Sequence, residues 1–170
     1  MKSNFDICFE RVISSEGGYV DHPLDTGGAT NLGCTQNVWE MYVGHEVTKD
    51  DIKALTKKDV KPLYKARYWD AIHGDELPAG LDYAMFDAAI NSGCTRASKW
   101  IQEIVGVSAD GAIGNNTILA ISNFKNVATL INEYMDKRLT FLQRLKTWPV
   151  FGRGWEARVK EVRNRSLDMV

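Results

Sequence analysis

The chain has 170 residues, 44% of them hydrophobic, and this length and composition predict one globular domain that buries a core without disulfides or metals. Its 21 basic and 22 acidic residues give a net charge of −1, so no global positive field points to nucleic acid as a partner. The three cysteines include no C-x-x-C pair, which argues against a disulfide framework and against a zinc site.

The first residues predict no export signal. Residues 1–6 contain one lysine and no apolar run, and nowhere is the sequence apolar for long enough to span a membrane. We therefore expect a protein that is made and kept in the cytoplasm unless something else releases it. It is also expected to be a monomer.

The first predicted helix carries an apolar stripe that leads to a carboxylate. Glu16 continues this row, and Gly17 and Gly18 after it are expected to stop the helix. Burial on that face would partly desolvate the carboxyl group and favour the protonated form that a general acid requires. The stripe consists of Phe5, Cys8, Phe9, Val12 and Ile13.

The segment from Glu16 to Gly33 has the composition of a site loop. It reads E-G-G-Y-V-D-H-P-L-D-T-G-G-A-T-N-L-G, with five glycines and three acids. Glu16 and Asp25 are nine residues apart and could face each other across a bound sugar, as glycoside hydrolysis needs. Composition alone equally fits a surface hairpin with solvated acids. His22 is interpreted as a surface histidine beside proline, so no metal and no cofactor are expected.

Short helices are predicted to follow this loop. One begins after Thr35, and two more are opened by a threonine with an aspartate three residues later, the spacing of a capping box. These pairs are Thr48 with Asp51 and Thr56 with Asp59.

Leu81–Ser92 is apolar enough to predict the buried central helix. One line along it is polar, because Tyr83, Asp87 and Asn91 recur every four residues. Buried polar groups need partners, so these side chains either bond the Glu16–Gly33 loop or line a substrate groove.

Helical stripes continue to the end of the chain, which makes the predicted class all-α, with about eight helices in one body that could have two lobes. The segment Thr147–Trp155 is expected to be an aromatic and glycine-rich turn before a last basic helix. From Ile131 onward there are 9 Lys/Arg and 5 Asp/Glu, so Arg158, Arg163 and Arg165 are candidates for contact with an anionic envelope. A solvated helix face is the alternative.

Four motifs, in this order, resemble glycoside hydrolase family 108, the phage and prophage N-acetylmuramidases. They are E-G-G-Y, D-T-G-G-A-T-N-L-G, the W-I-Q to D-G-A-I-G segment with Thr117, and W-P-x-F-G-R-G-W. The resemblance implies a lysozyme-like fold with a catalytic region over residues 1–94 and a peptidoglycan-binding region over 95–170. It further implies hydrolysis of the β-1,4 bond between N-acetylmuramic acid and N-acetylglucosamine in peptidoglycan strands, and an endolysin released to the wall through a membrane pore.

The resemblance also implies that Glu16 is the catalytic proton donor. Asp25 is the candidate second group, which would hold the attacking water or stabilise the cation, and Asp21 is its rival; either could instead cap a turn. Thr30 is a candidate for positioning water and Tyr19 for contacting sugar. In the more distant phage-type lysozymes the catalytic threonine falls one residue after Thr30, where this chain has asparagine.

Two other functions remain open at the level of sequence. A lytic transglycosylase would also use one glutamate but no hydrolytic water. A non-catalytic peptidoglycan-binding protein of a secretion or tail apparatus would need neither.

Overall fold

A computed structural model describes residues 3–23 and 26–170. Within these residues the chain forms nine α-helices and one two-stranded antiparallel hairpin, so the predicted all-α class is confirmed. The helices are α1 (Phe5–Ser15), α2 (Gln36–Val43), α3 (Lys49–Lys53), α4 (Lys57–Tyr64), α5 (Leu81–Ser92), α6 (Cys94–Val105), α7 (Asn115–Ser122), α8 (Val127–Gln143) and α9 (Trp148–Leu167). The strands are β1 (Thr30–Asn31) and β2 (Cys34–Thr35).

The chain divides into two compact units. The first comprises Phe5–Arg67 and contains α1, the hairpin, α2, α3 and α4. The second comprises Tyr68–Val170 together with residues 3–4, and contains α5 to α9. The candidate catalytic residues in the described part of the chain belong to the first unit.

Helix starts in the first unit follow the predicted capping chemistry. Thr48 and Thr56 each accept a hydrogen bond from the backbone N–H of the aspartate three residues later, and each aspartate accepts one from the threonine N–H. Both predicted capping boxes are therefore confirmed. Helix α4 runs through Pro62 and continues into a π-helical turn at Lys65–Trp69.

The second unit is built around α5. The nine residues of this helix from Leu81 to Ala89 are all buried, as predicted for a central helix. It packs against α6, α8 and α9. Gly80, just before α5, has a φ of +87°, and a Cβ there would lie 2.3 Å from the carbonyl oxygen of Ser166 in α9. Glycine is thus required where this turn meets the last helix.

The predicted turn at Thr147–Trp155 is wrong, because α9 starts at Trp148 and passes through it. Pro149 lies in the first turn, where no backbone donor is needed. The absent side chain of Gly152 makes room for the Trp148 ring, since a Cβ there would lie 2.5 Å from ring atoms. Trp155 joins the same face, with its ring 5.6 Å from Phe151 and 6.2 Å from Trp148.

None of the helices in the described residues combines the length and the apolar character needed to cross a membrane.

Candidate active site

Glu16 lies immediately after α1, which buries the predicted stripe and ends at Ser15. The Glu16 backbone N–H still donates to the Ile13 carbonyl oxygen at 3.2 Å, so the residue remains attached to the last helical turn. Its side chain is half-buried. The helix end therefore holds this carboxylate at a fixed position while leaving it accessible to solvent.

The β1–β2 hairpin provides the surface on which this carboxylate rests. Asn31 pairs with Cys34 across a two-residue turn, and both turn residues have left-handed φ values, +51° for Leu32 and +72° for Gly33. Positive φ at both positions is what a type I′ hairpin turn requires. Leucine rarely adopts this conformation, so other contacts must hold the turn in place.

Gly33 makes close approach to Glu16 possible. A Cβ built on Gly33 would lie 2.8 Å from Glu16 Oε2 and 2.6 Å from the Tyr64 hydroxyl oxygen. Both atoms therefore occupy the space that any other side chain would need. Glu16 and Gly33, which are 17 residues apart in the sequence, therefore lie directly against each other.

Tyr64 fixes the hairpin turn from the side of α4. Its hydroxyl donates to the Leu32 carbonyl oxygen at 2.8 Å, and its ring packs edge-on against Phe9 of α1 at 5.6 Å. The tyrosine thus links α1, α4 and the turn beneath Glu16. No local sequence pattern identifies this residue, because its partner is 32 positions away.

Thr30 lies in the middle of a small backbone ladder. It pairs with Thr35 in β2 and exchanges two 2.8 Å backbone hydrogen bonds with Val20 on its other side. Its side chain is half-buried. The ladder gives the loop around the candidate site a rigid strand, and the role of Thr30 in positioning water stays a prediction.

Asn31 is a structural residue that sequence reasoning missed. Its side-chain amide donates to the carbonyl oxygens of Ile52, Lys53 and Leu55, at 3.1, 3.2 and 3.3 Å. The residue is 7% exposed, and these carbonyls lie at and just after the end of α3. The asparagine therefore caps that helix end and anchors the hairpin to it.

The remaining loop candidates have separate surroundings. Asp21 pairs with Lys49 at 2.9 Å, and this hydrogen bond together with the charge of the carboxylate raises the pKa of the lysine. The Tyr19 ring lies 5.7 Å from Lys53 Nζ, a cation–π contact that positions its face. Asp25 lies outside the described residues.

The polar line on α5 forms a cluster with the other helices of its own unit. Asp87 Oδ2 lies 2.7 Å from Arg138 Nη1 of α8, and Arg158 of α9 donates to the same carboxylate through Nε and Nη2. Asn91 accepts from Arg138 at 3.4 Å. Asp87 and Asn91 therefore have partners within their own unit, and their bonding to the Glu16–Gly33 loop stays a prediction.

Burial decides which members of this line remain accessible to a glycan. Tyr83 and Asp87 are 2% and 1% exposed, which argues against direct contact with substrate, and their substrate role stays a prediction. Asn91 is exposed, and its substrate role stays a prediction. Although burial by itself would raise the pKa of Asp87, the two guanidinium groups outweigh it and hold the pKa below its ordinary value.

The three arginines predicted to contact the envelope all have partners within the protein. Besides Arg158, Arg163 binds Asp136 of α8 at 2.5 Å, and Arg165 binds Glu161 one turn earlier in α9 at 2.6 Å. These pairs connect helices or stabilise one helix. The envelope contact stays a prediction, and these three arginines are poor residues with which to test it.

The described residues give no support for a reactive thiol at Cys34 or for a metal site. Burial raises the pKa of the Cys34 thiol to about 11, against the opposing charge of Arg67, so this cysteine is a neutral core residue at pH 7. Over residues 3–23 and 26–170, no three His, Cys, Asp or Glu side chains cluster as a metal site would require.

A half-buried glutamate at a helix end, facing a β-hairpin within a helical fold, is the arrangement of a glycoside hydrolase of lysozyme-like architecture. Comparison with known proteins supports this class. The solved structure of Brucella abortus SagA superposes with a TM-score of 0.88 at 45% identity, covering 98% of this chain and 95% of that chain. No curated protein sequence matches.

Two protein families match the chain in succession. Glycosyl hydrolase 108 matches residues 9–93, and a family described as a predicted peptidoglycan domain matches residues 96–160. The chain belongs to the glycosyl hydrolase 108 family and is a glycosidase that acts on peptidoglycan, with the lysozyme-like helical fold predicted from its sequence. The catalytic family match extends through α5, beyond the compact unit that ends at Arg67.

Proposed function

We propose that this protein is an N-acetylmuramidase, which hydrolyses the β-1,4 bond between N-acetylmuramic acid and N-acetylglucosamine with Glu16 as general acid. The observation that carries the proposal is the contact of the Glu16 carboxylate with the Leu32–Gly33 turn. A general acid must be held where the glycosidic oxygen will lie, and a rigid helix end and hairpin do this better than a free loop.

The proposed reaction needs a second group because the transition state is an oxocarbenium-like cation. Glu16 donates its proton to the leaving oxygen. Asp25 then activates water or stabilises the cation, and Asp21 is the weaker candidate because its carboxylate is paired with Lys49. Thr30 orients the water and Tyr19 contacts the sugar in this scheme.

The test compares Glu16→Gln with Glu10→Gln on purified sacculi. Glu10 is an exposed residue of α1 that pairs with Lys57, so it reports the effect of losing an acid from the same helix. We expect Glu16→Gln to lower the rate by about 10²–10⁴-fold, the contribution of a positioned general acid, with unchanged circular dichroism. Glu10→Gln should keep wild-type activity. Clearing of sacculi by Glu16→Gln at the wild-type rate would refute the assignment.

Mass spectrometry of the digest identifies the reaction. A muramidase leaves a free reducing muramic acid end, whereas a lytic transglycosylase leaves an anhydro end. Products with anhydro ends would refute the muramidase and identify a lytic transglycosylase. Intact glycan with retained sacculus binding would indicate a binding protein.

We also propose that the enzyme works as an endolysin, reaching the wall after release through a membrane pore. Expression in a bacterial host should leave growth normal until a pore-forming protein is co-induced, and culture turbidity should then fall. The Glu16→Gln variant should not lyse cells under either condition. Lysis without the pore would contradict the release step alone.

A further inference from the structure

The second unit contains a cavity of about 470 Å³ that the catalytic scheme does not use. It lies where α5 passes into α6, on the side facing α8, within the part of the chain that begins the match to the predicted peptidoglycan domain. Its lining includes Cys94, Arg96, Lys99, Trp100, Glu103 and Phe141.

The lining of this cavity carries more positive than negative charge. Among the described residues that line it, Arg96 and Lys99 supply two cations and Glu103 supplies one carboxylate, which is bound to Lys137 of α8 at 2.6 Å. The Arg96 guanidinium lies over the Phe141 ring, 4.2 Å from its centroid, which orients the group at the cavity wall. The cavity therefore favours an anion that can bind a guanidinium and an ammonium group together.

The apolar wall restricts the ligand further. Trp100 and Phe141 pack with their ring centroids 5.3 Å apart, and Phe141 remains half-buried where it lines the cavity. Aromatic surface beside paired cations suits a ligand that carries carboxylates on a short chain with small apolar groups. Uncharged sugar rings would use the aromatic surface but not the two cations.

We infer that this cavity binds an acidic peptide, namely the carboxylate-bearing peptide stems of peptidoglycan. The inference rests on the proposed function, which supplies the wall as substrate. Within the wall, the stems carry most of the carboxylates, so they match the charge of the cavity better than the glycan does. Arg96 binds a stem carboxylate, and Lys99 adds the second positive charge.

The chain provides its own reporter for this site. Cys94 lines the cavity and is half-buried, whereas Cys8 and Cys34 are 0% and 2% exposed. A thiol reagent should therefore modify Cys94 first. A ligand in the cavity should protect it, without any engineered label.

The first experiment titrates the wild-type protein with the tetrapeptide L-Ala-γ-D-Glu-meso-diaminopimelyl-D-Ala while alkylation of Cys94 is followed by mass spectrometry. The peptide should slow alkylation in a saturable manner at low salt, and about 1 M salt should abolish the protection by screening. The same peptide with all its carboxyl groups amidated should give none. Equal protection by both peptides, or by neither, would overturn the inference.

The second experiment uses charge-removing variants in the full chain. Arg96→Gln and Lys99→Gln should each weaken binding of the acidic peptide by about 10-fold, the effect of losing a charge-assisted contact. Lys146→Gln is the matched control, because Lys146 is exposed and lies outside the cavity lining. Both cavity variants should digest intact sacculi more slowly but hydrolyse stem-free glycan strands at the wild-type rate.

The outcomes separate the inference from the proposed activity. Peptide binding that depends on Arg96, in a protein that cleaves no glycan, would support the cavity and refute the muramidase. If the protein cleaves glycan and both variants digest sacculi at the wild-type rate, the muramidase is supported and the cavity inference is refuted.

Discussion

At the scale of single residues, Gly33 determines whether Glu16 can take its position. The residue has a left-handed φ of +72°, and the space beside it holds the Glu16 carboxylate and the Tyr64 hydroxyl. Two separate costs therefore oppose any side chain here. One is backbone strain, about 1–2 kcal/mol for a left-handed L-residue, and the other is displacement of the Glu16 carboxylate.

If Glu16 is the proposed general acid, Gly33→Ala should lower the rate of peptidoglycan hydrolysis by at least about 10²-fold, because a shift of about 1 Å in such a group has this effect. Steady-state hydrolysis and the free energy of unfolding would be measured together. Gly44→Ala is the matched control, since Gly44 has a φ of +81° but a Cβ there would meet no atom within 4 Å. Gly44→Ala should lower the free energy of unfolding in the same way but keep the wild-type rate of hydrolysis. Equal activity of the two variants would show that the contact with Glu16 is irrelevant to catalysis.

The residues of the site differ in how far the sequence could predict them. The position of Glu16 follows from the helical spacing of its five apolar neighbours, which is local information. The roles of Asn31 and Tyr64 depend on partners 21 to 32 positions away, and no local pattern encodes such contacts. The periodicity of Tyr83, Asp87 and Asn91 shows a polar line that needs partners, but it does not say which helices supply them.

At the scale of elements, capping chemistry was the most informative signal. A threonine with an aspartate three residues later satisfies free backbone donors in the same way wherever it occurs, so α3 and α4 begin where their sequences predict. Helix α9 shows the opposite case. Its proline and glycines predict a turn by composition, but tertiary packing overrides this preference, because Pro149 needs no donor in the first turn and Gly152 accommodates an indole.

The same helix also limits what charge patterning can predict. Net positive charge near the end of the chain favoured an envelope contact, yet Arg158, Arg163 and Arg165 all bind carboxylates of the protein. The exposed cations of α9 that remain for such a contact include Arg153 and Lys160. A count of charges along a sequence cannot distinguish cations that bind internal partners from those that face solvent.

At the scale of the whole molecule, the buried Asp87 cluster governs stability in acid. The carboxylate connects α5 with Arg138 of α8 and Arg158 of α9, so it joins three helices at one point. The exposed acids Asp51, Asp59 and Asp110 also have lowered pKa values, through hydrogen bonds from nearby backbone or side-chain groups. All four carboxylates therefore shift stability in the same direction with pH.

A carboxylate whose pKa is lower in the folded state binds protons more readily when unfolded. Its stabilising contribution is therefore complete above the unfolded value, near 3.8, and is lost as pH falls through the lower folded value. We expect the free energy of unfolding to decrease as pH falls below about 4. Urea denaturation from pH 7 to pH 2, followed by circular dichroism, measures this decrease.

Asp87→Asn should identify the main source of this dependence. At pH 7 it leaves two arginines without their carboxylate and should destabilise the protein by about 3–5 kcal/mol, as breaking a buried ion pair does. The difference from wild type should shrink as pH falls, because protonation removes the same charge from wild-type Asp87. Asp136→Asn breaks an exposed pair between α8 and α9, with Asp136 69% exposed, and should cost less than about 1 kcal/mol. A difference between Asp87→Asn and wild type that stays constant down to pH 2 would show that the charge of Asp87 is not what stabilises the three helices.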